Sequence, residues 1–169
     1  GKRLDQSHKA LGIFYSLYPK GAADRNEDVY FLVASLFGLN RPDPQKKRVK
    51  GDFGRTMRAL LDAGMSSTAL GTRMTTLLDS SFTSSDETHP GGGELAYRLR
   101  QCVKLADSGN VGVDWPQLAR DLCEWSVPSR LVQKQWARSY FSSFTPTSGE
   151  KTPNTDSDQT AENRNGKEE

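Results

Sequence analysis

The residues of this sequence whose types and spacing could support chemistry are arginines and lysines. Arg130, Lys134 and Arg138 stand four positions apart. Helical positions with this spacing are rotated by only about 40° from one to the next, so the three are predicted to form one ridge on a helix. No carboxylate interrupts the ridge. The pattern fits two alternatives, a solvated helix face or a surface that binds the phosphates of a nucleic acid.

Similar basic spacings recur at other places in the chain. Arg100 and Lys104 repeat the interval of four, and Arg55 and Arg58 are three apart, on two further predicted helices. This repetition favours a shared binding surface. The densest basic run lies in a Pro-containing loop, where its charge serves either binding or solvation; it comprises Lys46, Lys47, Arg48 and Lys50.

Motifs of the common catalytic classes are absent from the sequence. It contains no Gly-x-x-x-x-Gly-Lys-Ser/Thr loop, no Gly-x-Ser-x-Gly elbow and no His-Glu-x-x-His pair. Two cysteines, Cys102 and Cys123, and two histidines are too few and too scattered for a metal site, so the thiols are interpreted as buried and structural. We therefore predict a protein that is not an enzyme and has no cofactor, metal or small-molecule substrate.

The aromatic residues could stack on bases, but they fall at apolar helical positions, which favours packing in a core. They are Trp115, Trp125, Trp136, Tyr140 and Phe141. Gly91, Gly92 and Gly93 precede a predicted helix, and a hinge is favoured over a phosphate site there.

The composition sets the C-terminal segment apart from the rest of the chain. Of 169 residues, 34% are hydrophobic, yet residues 145–169 contain one Ala and no other aliphatic or aromatic side chain. Such a segment cannot bury enough apolar surface to offset its ordering entropy, so a flexible tail is predicted. The tail holds three of the 23 basic residues and six of the 21 acidic ones, which leaves a body of net charge +5. This excess permits phosphate binding without proving it.

Apolar residues at helical spacing predict an all-α fold. The predicted helices are Asp5–Tyr18, Asn26–Leu39, a helix capped by Asp52 that runs through Asp62, Ser66 or Ser67 to Asp79, Glu94–Ala106, Asp114–Trp125 and Ser129–Phe141. A segment rich in Gly, Ser and Thr divides them into two small bundles. The predicted organisation is an N-terminal lobe (1–79), a linker (80–93), a C-terminal lobe (94–144) and the tail (145–169).

Several segments resemble one family. VDWPQLARDLCEW followed by SRLVQKQWARSYF resembles the C-terminal signature of the CasB family, the small subunit of the type I-E CRISPR surveillance complex Cascade. Upstream, YFLVASLF, DFGRTMRALL and ELAYRLRQCVKL resemble that family's successive helices in the same order. The likeness covers residues 28–141. The chain departs from the family pattern in a short beginning, which starts with Gly1 rather than Met, a long linker and an extended tail.

The resemblance implies a two-lobed helical protein without catalytic activity, present as two adjacent copies beside the backbone and large subunits of the complex. It implies contacts with crRNA and target DNA that stabilise the R-loop and the displaced strand in antiviral defence. Family basic positions fall on Arg25, Arg55, Arg73, Arg100 and the ridge. The predicted nucleic-acid-binding set is therefore Arg25, Arg55, Arg58, Arg73, Arg100, Lys104, Arg130, Lys134 and Arg138.

Two other classes of protein remain open from the sequence. One is a helical protein-interaction adaptor whose basic faces meet acidic protein surfaces. The other is a small transcription regulator, in which Ser129, Arg130 and Gln133 would stand at the start of a base-reading helix. No apolar run reaches the roughly 18 residues of a membrane span and no signal peptide opens the sequence, so a cytoplasmic protein without membrane contact is expected.

Overall fold

The computed structural model describes residues 8–18, 20, 21, 23, 26–83 and 93–142, with side chains from residue 12 onward. These ranges contain seven α-helices and no β-strand, so the predicted all-α fold class is confirmed. The helices are α1 (His8–Leu17), α2 (Glu27–Phe37), α3 (Phe53–Asp62), α4 (Ser67–Asp79), α5 (Gly93–Ser108), α6 (Trp115–Cys123) and α7 (Leu131–Phe141). None of them is long and apolar enough to cross a membrane.

Side-chain caps start three of the helices at the predicted residues. Asp52 accepts a hydrogen bond from the backbone N–H of Arg55, Ser66 from that of Ala69, and Asp114 from that of Gln117. Gln117, three residues after Asp114, could be expected to complete a capping box, but its side chain donates to Asp121 (2.7 Å) and accepts from Arg120 (2.9 Å). It is drawn along the helix instead of back to its start.

Gly64 follows the end of α3, whose last residue, Asp62, is the predicted one. Its φ of +87° is a left-handed conformation that suits a residue without a Cβ. Its N–H donates to Leu61 O and the following Met65 N–H to Leu60 O, which satisfies carbonyls of the last helical turn. At the other end of the chain, α7 begins at Leu131, two residues later than predicted, because Arg130 is itself left-handed with φ of 52°.

Helices from both sides of the predicted linker contribute to one cluster of buried apolar residues. Within it, α3 packs against α7, α2 against α6, and α4 against α5. The apolar residues of α5 recur at the spacing of one helix face, and all five are buried: Leu95, Leu99, Cys102, Val103 and Ala106. The bounds of the two lobes and the linker stay a prediction; residues 84–92, the tail and the predicted start of the first helix at Asp5 lie outside the described residues.

The aromatic residues are mainly core residues, as the sequence favoured. Trp136 is completely buried, and its ring packs beside those of Phe53 and Trp125. The Trp125 indole N–H donates to Ser80 O (3.0 Å), which joins the end of α4 to the turn before α7. Phe37, although it lies at an apolar helical position of α2, is 41% exposed, with its ring edge against Trp115. Phe141, at 42%, is also exposed.

Candidate nucleic-acid interface

A basic cleft with a volume of about 530 Å³ lies between the loop that precedes α3, the outer face of α3 and the end of α7. Its charged lining residues are Lys47, Arg48 and Lys50 from the loop, Arg55, Arg58 and Asp62 from α3, and Arg138 from α7. Asp62 is the one acidic residue among them, and its carboxylate is paired with the Lys47 ammonium at 2.9 Å. The hydrogen bond and the charge of Lys47 lower the pKa of Asp62. The cleft therefore presents a net positive surface.

Close contact between α3 and α7 fixes the two helical walls of the cleft. A Cβ built on Gly54 would lie 2.2 Å from the backbone oxygen of Trp136, so only glycine permits this approach. The buried Asp52 carboxylate links the same two helices. It accepts hydrogen bonds from Ser139 Oγ (2.6 Å) and Gln135 Nε2 (3.4 Å) while it caps α3. The walls that carry Arg55 and Arg138 are thereby held together.

The loop wall is also held in place, although it has no regular secondary structure. Lys47 forms an isolated parallel bridge with Val111, in which its N–H donates to Asn110 O (2.8 Å) and its carbonyl accepts from Gly112 N–H (3.0 Å). At the end of the loop, Gly51 N–H donates to Asp114 Oδ2 (3.0 Å). The cap of α6 thus also anchors the basic loop.

Gly51 brings this anchor into contact with the cleft. It has a φ of +106°, and a Cβ at this position would lie 3.0 Å from Cδ of Arg55. The Arg55 side chain therefore runs directly past the Gly51 backbone. A larger residue would strain the backbone and displace the guanidinium of Arg55.

The basic run in the loop divides into one structural lysine and three cleft residues. The Lys46 side chain is only 12% exposed and its ammonium lies 2.6 Å from Asp107 Oδ1. It also donates to Asn40 Oδ1 and Arg41 O, so Lys46 fastens the loop to the end of α5. Lys47, Arg48 and Lys50 line the cleft. The sequence alone did not decide whether this run serves binding or solvation. It shows the density of positive charge but not how close the loop lies to α3 and α7.

The predicted ridge on the last helix is wrong at its first residue. Arg130 precedes α7, and its guanidinium donates to the backbone oxygen of Leu78 (2.6 Å) and lies 3.5 Å from Asp79 Oδ1. It therefore stabilises the carbonyl end of α4, where a positive charge is favourable. Lys134 and Arg138 remain on α7 and are exposed. Only Arg138 of the three lines the cleft.

The remaining predicted residues are spread over the surface. Arg73 on α4 lines a second groove, between α4 and α5. Arg100 is half-buried and Lys104 exposed on α5, and neither lines either depression. Arg25 lies outside the described residues. From the predicted set, the structure thus brings Arg55, Arg58 and Arg138 together.

Buried titratable groups of the described residues belong to the core. Burial raises the pKa of the Asp121 carboxyl, while hydrogen bonds from Trp136 and Gln117 act in the opposite direction. Burial also raises the pKa of the Cys102 thiol to about 11. Within the described ranges no cluster of three or more His, Cys, Asp or Glu side chains could hold a metal ion.

The fold and the cleft together define a small all-helical protein with a polybasic surface cleft. The family model for CRISPR-associated protein Cse2 matches residues 1–141. The chain therefore belongs to the Cse2 family of CRISPR-associated proteins, the family also named CasB. This confirms the resemblance seen in the sequence.

Similar proteins are known from Thermus thermophilus and M. ruber. A Cse2 protein of Thermus thermophilus is 33% identical over 115 residues, which cover 68% of this chain and 56% of that protein. The crystal structure of a Cse2-family protein from the same organism gives a TM-score of 0.60 at 27% identity, covering 83% of this chain and 79% of that one. M. ruber CasB gives a TM-score of 0.58 at 26% identity, over 79% and 73% of the two chains.

Proposed function

We propose that this chain is a non-catalytic small subunit of a type I-E CRISPR Cascade complex that binds nucleic-acid backbone through its basic cleft. In that role it would stabilise the R-loop formed by crRNA and target DNA, together with the displaced strand. Family membership supports the place in a CRISPR complex. The cleft is the observation that carries the binding proposal: it has six basic residues, and only one of them, Lys47, is paired with its single carboxylate.

The chemistry of the cleft fits phosphate better than base edges. Its walls offer guanidinium and ammonium groups, whereas the tryptophans that could stack on bases are buried in the core. Contacts of this kind attract any polyanion backbone irrespective of sequence and release counterions when they form. The proposed binding is therefore independent of sequence and strongly dependent on salt.

The proposed partners include the backbone and large subunits of Cascade and a second copy of the chain. Exposed large apolar side chains on α1 and before and within α7 are available for such contacts, among them Ile13 (55%), Leu17 (77%) and Leu131 (65%). α1 does not line the cleft, and α7 lines it only with its last turns, far along the helix from Leu131. Subunit contacts and nucleic-acid contacts can thus occupy separate surfaces.

Charge reversal of two cleft residues tests the binding proposal. The variant carries Arg48→Glu and Arg138→Glu, both exposed side chains from opposite walls. Affinity for duplex and single-stranded DNA would be measured over a salt series by fluorescence anisotropy. If each arginine contacts one phosphate, the slope of log K against log salt should become shallower by about 2 for duplex DNA, at about 0.9 per contact.

The matched control reverses the same amount of charge elsewhere. Lys20 and Arg41 are exposed and do not line the cleft. The double variant Lys20→Glu with Arg41→Glu therefore has the same net charge as the cleft variant but leaves the cleft unchanged. Equal effects of the two double variants would mean that binding follows overall charge and not the cleft. A wild-type protein without any salt-sensitive shift would instead favour the helical adaptor.

A further inference from the structure

A groove of about 460 Å³ between α4 and α5 combines an exposed aromatic ring with two arginines. It is lined by Arg73 from α4 and by Tyr97, Arg98 and Gln101 from α5, with Cys102 at its floor. None of these residues lines the basic cleft. The volume falls within the range of about 300–1,000 Å³ that is typical of ligand sites.

The Tyr97 ring is largely exposed and lies beside the guanidinium of the next residue, Arg98. The Arg98 guanidinium lies over the ring, with Cζ 5.7 Å from the ring centre, and Glu94 accepts a hydrogen bond from Arg98 at 3.1 Å. Tyr97 is nevertheless 58% exposed, in a chain whose three tryptophans are all buried. A large exposed ring with a neighbouring guanidinium is suited to stack on a planar ligand.

Arg73 supplies positive charge across the groove from the ring. It is exposed on α4 and forms no ion pair with a described residue. Arg73, Arg98 and Cys102 line the same groove, and the two guanidiniums act to lower the pKa of the Cys102 thiol against the larger effect of burial. Gln101, four positions after Tyr97, adds an amide that can donate and accept hydrogen bonds.

We propose that this groove binds single-stranded nucleic acid, with one base stacked on the exposed Tyr97 ring and a flanking phosphate held by Arg73. A stacked base uses the ring, an adjacent phosphate uses the arginine, and a base edge meets Gln101. An acidic peptide would use the charge and leave the exposed ring unexplained. This inference rests on the proposed function, which already includes the displaced strand, and adds base stacking at a second site to the phosphate contacts of the basic cleft.

The test compares two labelled strands of equal length and charge, oligothymidylate and its abasic counterpart, bound to the full chain at one salt concentration. The wild-type chain should bind the strand with bases more tightly, by about 5-fold to 150-fold for one stacked base. Tyr97→Ala should abolish this preference, and Tyr97→Phe, which keeps the ring, should retain it. Tyr15→Ala, which removes another exposed tyrosine from α1, should also retain it.

Duplex binding at low salt serves as a separate measurement. It should be unchanged in Tyr97→Ala if fold and cleft are intact, so a failure of the cleft proposal and a failure of the stacking proposal give different results. Equal wild-type affinity for both strands, a preference that survives Tyr97→Ala, or a preference lost in Tyr97→Phe would each overturn stacking at this groove. Binding of poly-glutamate to the wild-type chain but not to Tyr97→Ala would also overturn the proposal, because that result identifies a site for acidic peptides.

Discussion

Two glycine-to-alanine substitutions are expected to change stability in opposite directions. Gly54 is in the first turn of α3, and a Cβ there would lie 2.2 Å from Trp136 O and 2.9 Å from its C and Cα atoms. All three are backbone atoms, so no side-chain rotation relieves the overlap and α3 must move away from α7. Gly71 is within α4, and a Cβ there meets no heavy atom within 4 Å.

The expected magnitudes follow from these contacts. Gly54→Ala should lower the free energy of unfolding by about 1–3 kcal/mol or more, as overpacking does in tight cores. Gly71→Ala should raise it by about 0.5–1 kcal/mol, because alanine restricts the unfolded chain and favours the helix. Helix propensity favours alanine at both positions. The difference between the two changes in the free energy of unfolding therefore isolates the effect of the overlap with Trp136.

Urea denaturation followed by tryptophan fluorescence measures both effects, since Trp125 and Trp136 are buried beside this helix pair. A second readout is DNA affinity under conditions where both variants are folded. Gly54→Ala separates the walls of the cleft and should weaken binding, whereas Gly71→Ala should leave it unchanged. A Gly54→Ala variant as stable as the wild type would refute the close approach of α3 and α7.

Two further predictions concern buried titratable groups. Burial raises the pKa of Asp121 above its ordinary value of 3.8. The folded state therefore binds the carboxyl proton more tightly than the unfolded state does. The contribution of this carboxyl to stability is present at low pH and is lost as pH rises through the folded pKa. Denaturation at several pH values should therefore show the wild type losing stability relative to Asp121→Asn from about pH 4 upward. A difference in the free energy of unfolding that does not change with pH would contradict this. Any effect of the substitution that is the same at every pH does not alter this pH dependence. With a pKa of about 11 against an ordinary 9.0, Cys102 should react with iodoacetamide at least about 100-fold more slowly in the folded than in the denatured chain. Mass spectrometry of the peptide that contains Cys102 measures both rates, and comparable rates would show that the thiol is accessible.

Local signals were sufficient to predict most of the fold. Asp52, Ser66 and Asp114 each cap a helix through an N–H three residues later, a relation contained in a few adjacent letters. The face of α5 was equally visible, because helical periodicity alone selects the residues that are buried. The two-residue error at α7 arises from Arg130, whose acceptor Leu78 O is 52 positions away in the sequence.

The candidate site was predictable only in part. Sequence reasoning found Arg55, Arg58 and Arg138 by their spacing on helices, but it could not bring α3 and α7 together. That contact depends on the absence of a side chain at Gly54, which spacing does not reveal. For the same reason Arg48 and Lys50 were left undecided, as their loop is placed by bonds to Asn110 and Asp114, more than 60 residues away.

The bridge between Lys47 and Val111 has a consequence for the thermodynamics of binding. A loop of this kind, if mobile, would lose about 1–2 kcal/mol of backbone entropy for each residue fixed by a ligand. Here the backbone at Lys47 and Gly51 is already hydrogen-bonded to the rest of the protein. Most of that entropy loss therefore occurs during folding. The arginine and lysines of the loop are already preorganised when they meet a polyanion. Association should then be fast and accompanied by a small conformational-entropy loss, with the affinity set mainly by the ions released.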